Sequence, residues 1–196
     1  MDEPRPTHRT AAELEAGLGE ILRSPPSAGD VRMIVRRPAR DERETVAVGQ
    51  LDPEEGLVGD SFRARELAKR PAARPEIQLT LMNARAIALI AGDEARWPLA
   101  GDQLYVDLDL SWENLPPGTR LAVGDALVEI TAEPHTGCKK FVQRFGMDAM
   151  TFVNSEVGLR HNLRGIHAMV VRPGAVRVGD RIAKVAADDE KEARAC

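Results

Sequence analysis

The sequence predicts a mainly β domain with short helices, closed as a barrel and preceded by an N-terminal helix. Three observations lead there. Short β-branched runs bounded by Pro, Gly and charged turns recur from residue 31 to residue 184. Two segments, "PPGTRLAVGDALVEI" and "RPGAVRVGDRIAKV", share one punctuation: Pro-Gly, short strand, Val-Gly-Asp, strand. Aromatic residues are only 4% of the chain, so the core must rest on Val, Leu, Ile, Ala and Met. About eight antiparallel strands need their edges managed, and closure does that most simply.

The elements follow in order. Residues 1–30 read as a helical appendage. Thr10 caps it and Glu13 completes a capping box, each side chain satisfying a free amide of the first turn. Leu14, Leu18, Ile21 and Leu22 form its apolar face, and "SPPSAG" stops it. "VRMIVRR" (31–37) and "TVAVGQL" (45–51) read as strands. Residues 56–75 read as a long polar connection, too rich in Arg and Pro for a core element. "IQLTLM" (77–82) is a strand, after which Asn83 caps a short helix closed by Gly92. "QLYVDLDL" (103–110) is a strand. The two Val-Gly-Asp units predict hairpins of one geometry in one sheet, since Gly-Asp supplies a positive φ and a side-chain-to-backbone bond. Between them "KKFVQRFG" and "DAMTFVNS" read as two short helices with Gly146 as the stop, and "RGIHAMVV" (164–171) as a strand. The barrel domain spans 31–186, and residues 187–196 are a charged tail.

Composition narrows the function. The chain of 196 residues carries a net charge of −4, which argues against wholesale nucleic-acid binding. No apolar run approaches the roughly 18–20 residues that span a bilayer, and no signal-peptide core opens the chain. Two cysteines, one of them the last residue, make no disulfide framework, so a reducing cytoplasm is the expected compartment. Within this acidic protein, residues 135–172 carry six basic residues against two acidic ones, and three of the four histidines. Such a patch suits a phosphate-bearing small ligand.

The chemistry centres on "PHTGCKKFVQRFG" and Cys138. Pro134 ends a strand, Gly137 allows a sharp turn, and the thiol then sits where a helix begins. The helix dipole, Lys139, Lys140 and a protonated His135 would all favour a thiolate there. A nucleophile, a soft-metal ligand and an inert buried cysteine are the three readings. Zinc would need His135, Cys138, His161 and His167 together, and the six-residue spacing of the last two histidines is outside the usual pairs. A triad lacks a carboxylate near His135 other than Glu133, which a strand would turn away. Downstream, Asn154, Arg160, His161, Asn162 and Arg164 could make an anion site. Arginine forks bind phosphate in two places and Asn reads heterocycle edges. The competing reading is surface pairing, for example Arg160 with Glu156.

Taken in order, "LPPGTRLAVGDALVEITAEPHTGC" and "LRGIHAMVVRPGAVRVGDRIAKV" resemble the MOSC domain, named for the C-terminal domain of molybdenum-cofactor sulfurases. "GLVGD" (56–60), "IQLTLM" and "DLDLSWENLPPG" (107–118) fit as well, so the resemblance covers about residues 31–186. It implies a β-rich barrel that binds a molybdopterin-type molybdenum cofactor or carries sulfur as a persulfide. By motif, Cys138 would be the catalytic thiolate and metal ligand. His135, Lys139, Lys140, Arg160, Asn162 and Arg164 are the candidate cofactor-binding residues, Arg164 by its place in "LRGIH". The resemblance further implies reductive or sulfur-transfer chemistry fed by a separate electron- or sulfur-donor protein. Two departures stand out. Gly137 precedes the cysteine where the family often has Pro, with "HT" inserted after Pro134, and "AGDQL" replaces the usual G-E-N stretch. A non-enzymatic sulfur carrier and a cofactor-free binding module of the same fold are the alternatives.

Overall fold

In the computed structural model, which describes residues 8–185, seven strands close into a barrel. Helix α1 (Ala11–Ile21) leads into β1 (Ala28–Arg36), β2 (Glu44–Val46), β3 (Val48–Asp52) and β4 (Gly56–Leu57). After α2 (Phe62–Leu67) come β5 (Leu79–Asn83), α3 (Ala84–Ala91), a 3-10 helix (Glu94–Ala100) and β6 (Leu104–Val106). Then follow β7 (Arg120–Val123), β8 (Ala126–Ile130), α4 (Lys139–Asn154), α5 (Glu156–Arg160), β9 (Ile166–Arg172), β10 (Gly174–Arg177) and β11 (Arg181–Lys184). The ring runs β1-β11-β7-β8-β9-β5-β6 and back to β1, antiparallel except for the β5–β6 pair. β2 extends β1, and β10-β3-β4 form a separate three-stranded sheet.

Period-two alternation fills the barrel. Ala126, Val128 and Ile130 of β8 and Ile166, Ala168 and Val170 of β9 point inward, with Leu121 and Val123 of β7. A second apolar cluster lies outside the barrel wall, where Leu14, Ile87, Ile90, Phe141 and Phe145 bring α1, α3 and α4 onto Met82 and Tyr105. β5 is buried along its whole length because both of its faces are covered.

The predicted start of the chain holds. The Thr10–Glu13 capping box is complete in both directions, and α1 packs on the domain through Leu14 and Ile21. Leu22 is the exception: it falls at the helix C-cap and is exposed. β1 begins at Ala28, three residues before the predicted strand, where it pairs with β11. The strand predicted over 45–51 is two strands divided at Ala47. Asn83 accepts the amides of Arg85 and Ala86, and Gly92, with φ 74°, ends α3. Gly146 (φ 90°, ψ 170°) breaks α4 into the two predicted helical pieces.

Three expectations change. Residues 56–75 are not all connection: Leu57, Phe62 and Glu66 are buried, and α2 is a short helix. The strand over 103–110 keeps a ladder only to Val106. Beyond it Asp107 and Asp109 donate their amides to Asp30 and Pro25. The second Val-Gly-Asp unit is a corner, not a hairpin. β10 pairs with β3 and β11 with β1 and β7, while Asp180 accepts the Arg177 amide and Val178 donates to Ala47. The same turn chemistry therefore serves pairing in one copy and a switch of sheets in the other. The tail predicted for 187–196 lies outside the described residues.

Candidate functional site

One end of the barrel collects the C-terminal ends of β1 and β8 and the N-terminal ends of β6 and β9. The loop that leaves β8 crosses this end and delivers Cys138 to the first turn of α4. Cys138 is the N-cap, with extended backbone (φ −128°, ψ 173°), and its carbonyl accepts the amides of Phe141 and Val142. Its thiol is free and exposed. The Gly137 amide donates to Asn154 Oδ1 at 3.2 Å, which Pro could not do, and a Cβ there would sit 2.3 Å from Met150 Sδ. The departure from Pro before the cysteine thus has a local cause.

Behind this loop lies a buried polar cluster. Arg164 donates to Asp102 Oδ2 at 2.7 Å and to the Ala100 carbonyl at 2.9 Å, and its guanidinium stacks 5.0 Å from the Phe141 ring centre. Asp102 is fully buried, and its other oxygen faces His135 Nδ1 at 3.5 Å. His135 stacks on His167 with ring centres 4.6 Å apart, and His167 Nδ1 donates to the Glu133 carbonyl. Gly165, at φ 103°, lets β9 enter this corner, since a Cβ would lie 2.4 Å from the Leu81 carbonyl and 3.3 Å from His135 Nδ1.

Arginines fix the loop that carries Asp102. Arg37 chelates the fully buried Asp60 with two guanidinium nitrogens and its own amide, and reaches the Gly101 carbonyl at 2.8 Å. Arg43 donates to the Pro98 carbonyl and Arg144 to that of Leu99. These carbonyls end the 3-10 helix, where cations complement the free C-terminal oxygens. Burial first, then Arg164, His167 and Arg37, hold His135 well below the ordinary imidazole value. His167 is lowered too, by burial, against the opposing pull of the Glu133 carbonyl. Both rings are neutral at pH 7. The 3.5 Å approach of His135 to Asp102 is therefore an alignment rather than an ion pair.

The predicted residues separate into two groups. Cys138, His135 and Arg164 converge on this end of the barrel, with Lys139 and Lys140 exposed on the first turn of α4, Lys140 paired with Asp41. Arg160 and Asn162 serve other contacts. Arg160 is exposed and pairs with Glu113, not Glu156, while its carbonyl accepts the Trp112 amide. Asn162, buried at φ 49°, donates to the Leu110 carbonyl and clamps the turn into β9. Asp102, Asp60 and Arg37 were missed. Both carboxylates stand in Gly-Asp steps of "AGDQL" and "GLVGD", which was the available signal. The carboxylate absent from the triad reading is also found: it is Asp102, while the Glu133 side chain pairs with Arg74. Among the described residues, no three His, Cys, Asp or Glu side chains converge on a metal position.

The fold and site define a class: a closed mixed barrel with an exposed thiol at a helix N-terminus, backed by a buried Arg–Asp–His cluster. The sequence profile of the MOSC domain matches residues 83–183, and the chain belongs to that family, one associated with the molybdenum cofactor. Among solved structures it is similar to the YuaD protein from Bacillus subtilis: 19% identity, 79% of this chain and 94% of that one, TM-score 0.58. YiiM from Escherichia coli has 19% identity over 80% of this chain and 70% of that one, with TM-score 0.53. YiiM from Geobacillus stearothermophilus has 12% identity over 81% and 75%, with TM-score 0.56. At these identities the likeness is one of fold. No curated protein sequence matches the chain.

Proposed function

We propose that this chain binds a molybdopterin-type molybdenum cofactor at the α4 end of the barrel, with Cys138 as thiolate ligand to the metal, for reductive or sulfur-transfer chemistry. The observation that carries this reading is the placement of an exposed, unbridged thiol beside buried polar atoms that lack partners. Arg164 Nε, His135 Nδ1 and Asp102 Oδ1 are all sealed from solvent without a hydrogen bond; the last two face each other at 3.5 Å, which leaves Arg164 Nε as the buried donor that supports a site for a polar group. The donor set suits the cofactor: a soft sulfur ligand for the metal and cations for phosphate oxygens.

When bound, the cofactor supplies the redox-active metal. The chain's own residues do the rest. The α4 N-terminus and Lys139 favour negative charge around Cys138. Arg37, Arg43 and Arg144 hold the Pro98–Gly101 carbonyls and so fix the loop that carries Asp102. Phe141 and Phe145, with their rings in contact, lie on the buried face of α4. Electrons or sulfur come from a separate donor protein, and the compartment is the cytoplasm. Among the described residues no helix is long and apolar enough to cross a membrane.

Metal analysis of protein made in a cofactor-competent host tests the reading. Stoichiometric molybdenum is expected, and its loss in Cys138→Ser assigns the ligand. The exposure of Cys138 also favours a second reading, a persulfide carrier without metal. A trappable persulfide on Cys138 with no molybdenum would replace the first reading by the second.

A further inference from the structure

The surroundings of His135 are those of a base. Its Nδ1 is sealed and faces Asp102 Oδ1, an atom that can only accept when ionised. The side chain as a whole keeps 15% exposure, and Nε2, unlike Nδ1, is not among the sealed ring atoms without a partner. Asp102 is itself anchored through its other oxygen by Arg164, and its backbone by the loop that Arg37 grips. A carboxylate locked behind an imidazole fixes the Nδ1–H tautomer and leaves Nε2 as the proton acceptor.

We propose that Asp102 and His135 are the proton-handling pair of this site, with His135 Nε2 as the base and Asp102 as its positioning residue. The proposal deepens the cofactor reading and rests on it for the identity of the ligand. In the step it assigns, an X–H bond of the bound ligand breaks and an N–H bond forms at Nε2. No electrons change hands. The imidazolium charge is met by Asp102 Oδ1, and the proton returns to the product or to water. A 3.5 Å separation is long for the final hydrogen bond, as is common before a ligand closes such a pair. The groups facing His135 are Arg164 and His167 at the entry to β9, Arg37 at the end of β1, and Asp102 from the loop before β6. Burial, Arg164 and Arg37 oppose its protonation. The neutral resting form is what a base requires.

Histidine 15N NMR on the full chain, free of cofactor, reads the tautomer directly. His135 is expected as Nδ1–H, and Asp102→Asn is expected to release it toward the Nε2–H form. An Nε2–H ring in the wild type, or an unchanged tautomer in folded Asp102→Asn, overturns the proposal. Should Asp102→Asn fail to fold, with Arg164 left unpaired, the wild-type tautomer still decides. The second arm is metal analysis of the cofactor-loaded chain. His135→Gln is expected to retain its molybdenum, because the pair handles a proton and does not hold the metal, and loss of the molybdenum in the folded variant overturns the proposal. Failure of the cofactor reading shows instead as missing molybdenum in the wild type, and leaves the tautomer result standing.

Discussion

Arg164 and Arg160, four residues apart, separate a structural role from an incidental one. Arg164 is the counter-charge of a carboxylate with no exposure, and removing it strands that charge. Arg164→Ala should cost about 3–5 kcal/mol in denaturant unfolding, whereas Arg160→Ala, which breaks an exposed pair, should cost under about 1 kcal/mol. Gly165→Ala forces a Cβ into the Leu81 carbonyl at positive φ and should cost at least about 1–3 kcal/mol by the same measurement. The histidines give a pH dependence with a definite sign. Their folded-state values lie below the unfolded value of about 6.5, so the unfolded chain binds more protons. Stability should be level above that pH and fall as the pH drops below it. His135→Gln should flatten part of that slope in urea titrations run from pH 8 to pH 5. Little of this was legible in the sequence. Cys138, His135 and Arg164 lie in one basic stretch, but Asp102 lies 33 positions before His135, and only the closure of the barrel brings the two together.

Local chemistry made the elements far easier to read. The Thr10–Glu13 box, the Asn83 cap and the Gly146 break are local in origin, each set within four residues, and all three stand where the sequence placed them. The failures were non-local. Phe62 and Glu66 are buried, which no feature of residues 56–75 announces. The Gly179–Asp180 turn looks like the Gly124–Asp125 hairpin, yet Val178 donates to Ala47 and the chain leaves for another sheet. Helix α1 is also more than an appendage, since Leu14 is wholly buried against the α3 and α4 layer. Leu14→Ala should therefore destabilise the whole domain by about 2–5 kcal/mol in a single cooperative transition. An early separate transition for α1 would contradict that.

For the molecule as a whole, the packed barrel is the frame and the chemistry lies at one end of it. The interior is filled by one cluster of buried apolar side chains. The strand ends then bring together what the chain order separates: Arg37 just after β1, Asp102 before β6, His135 after β8, and Arg164 before β9. The central claim is that Cys138, at the mouth of this assembly, is a ligand to molybdenum. X-ray absorption at the molybdenum edge tests it most directly, comparing the cofactor-loaded chain with Cys138→Ser. Loss of one sulfur neighbour from the metal in the variant is the expected result. An unchanged sulfur shell, with molybdenum still bound, would contradict it.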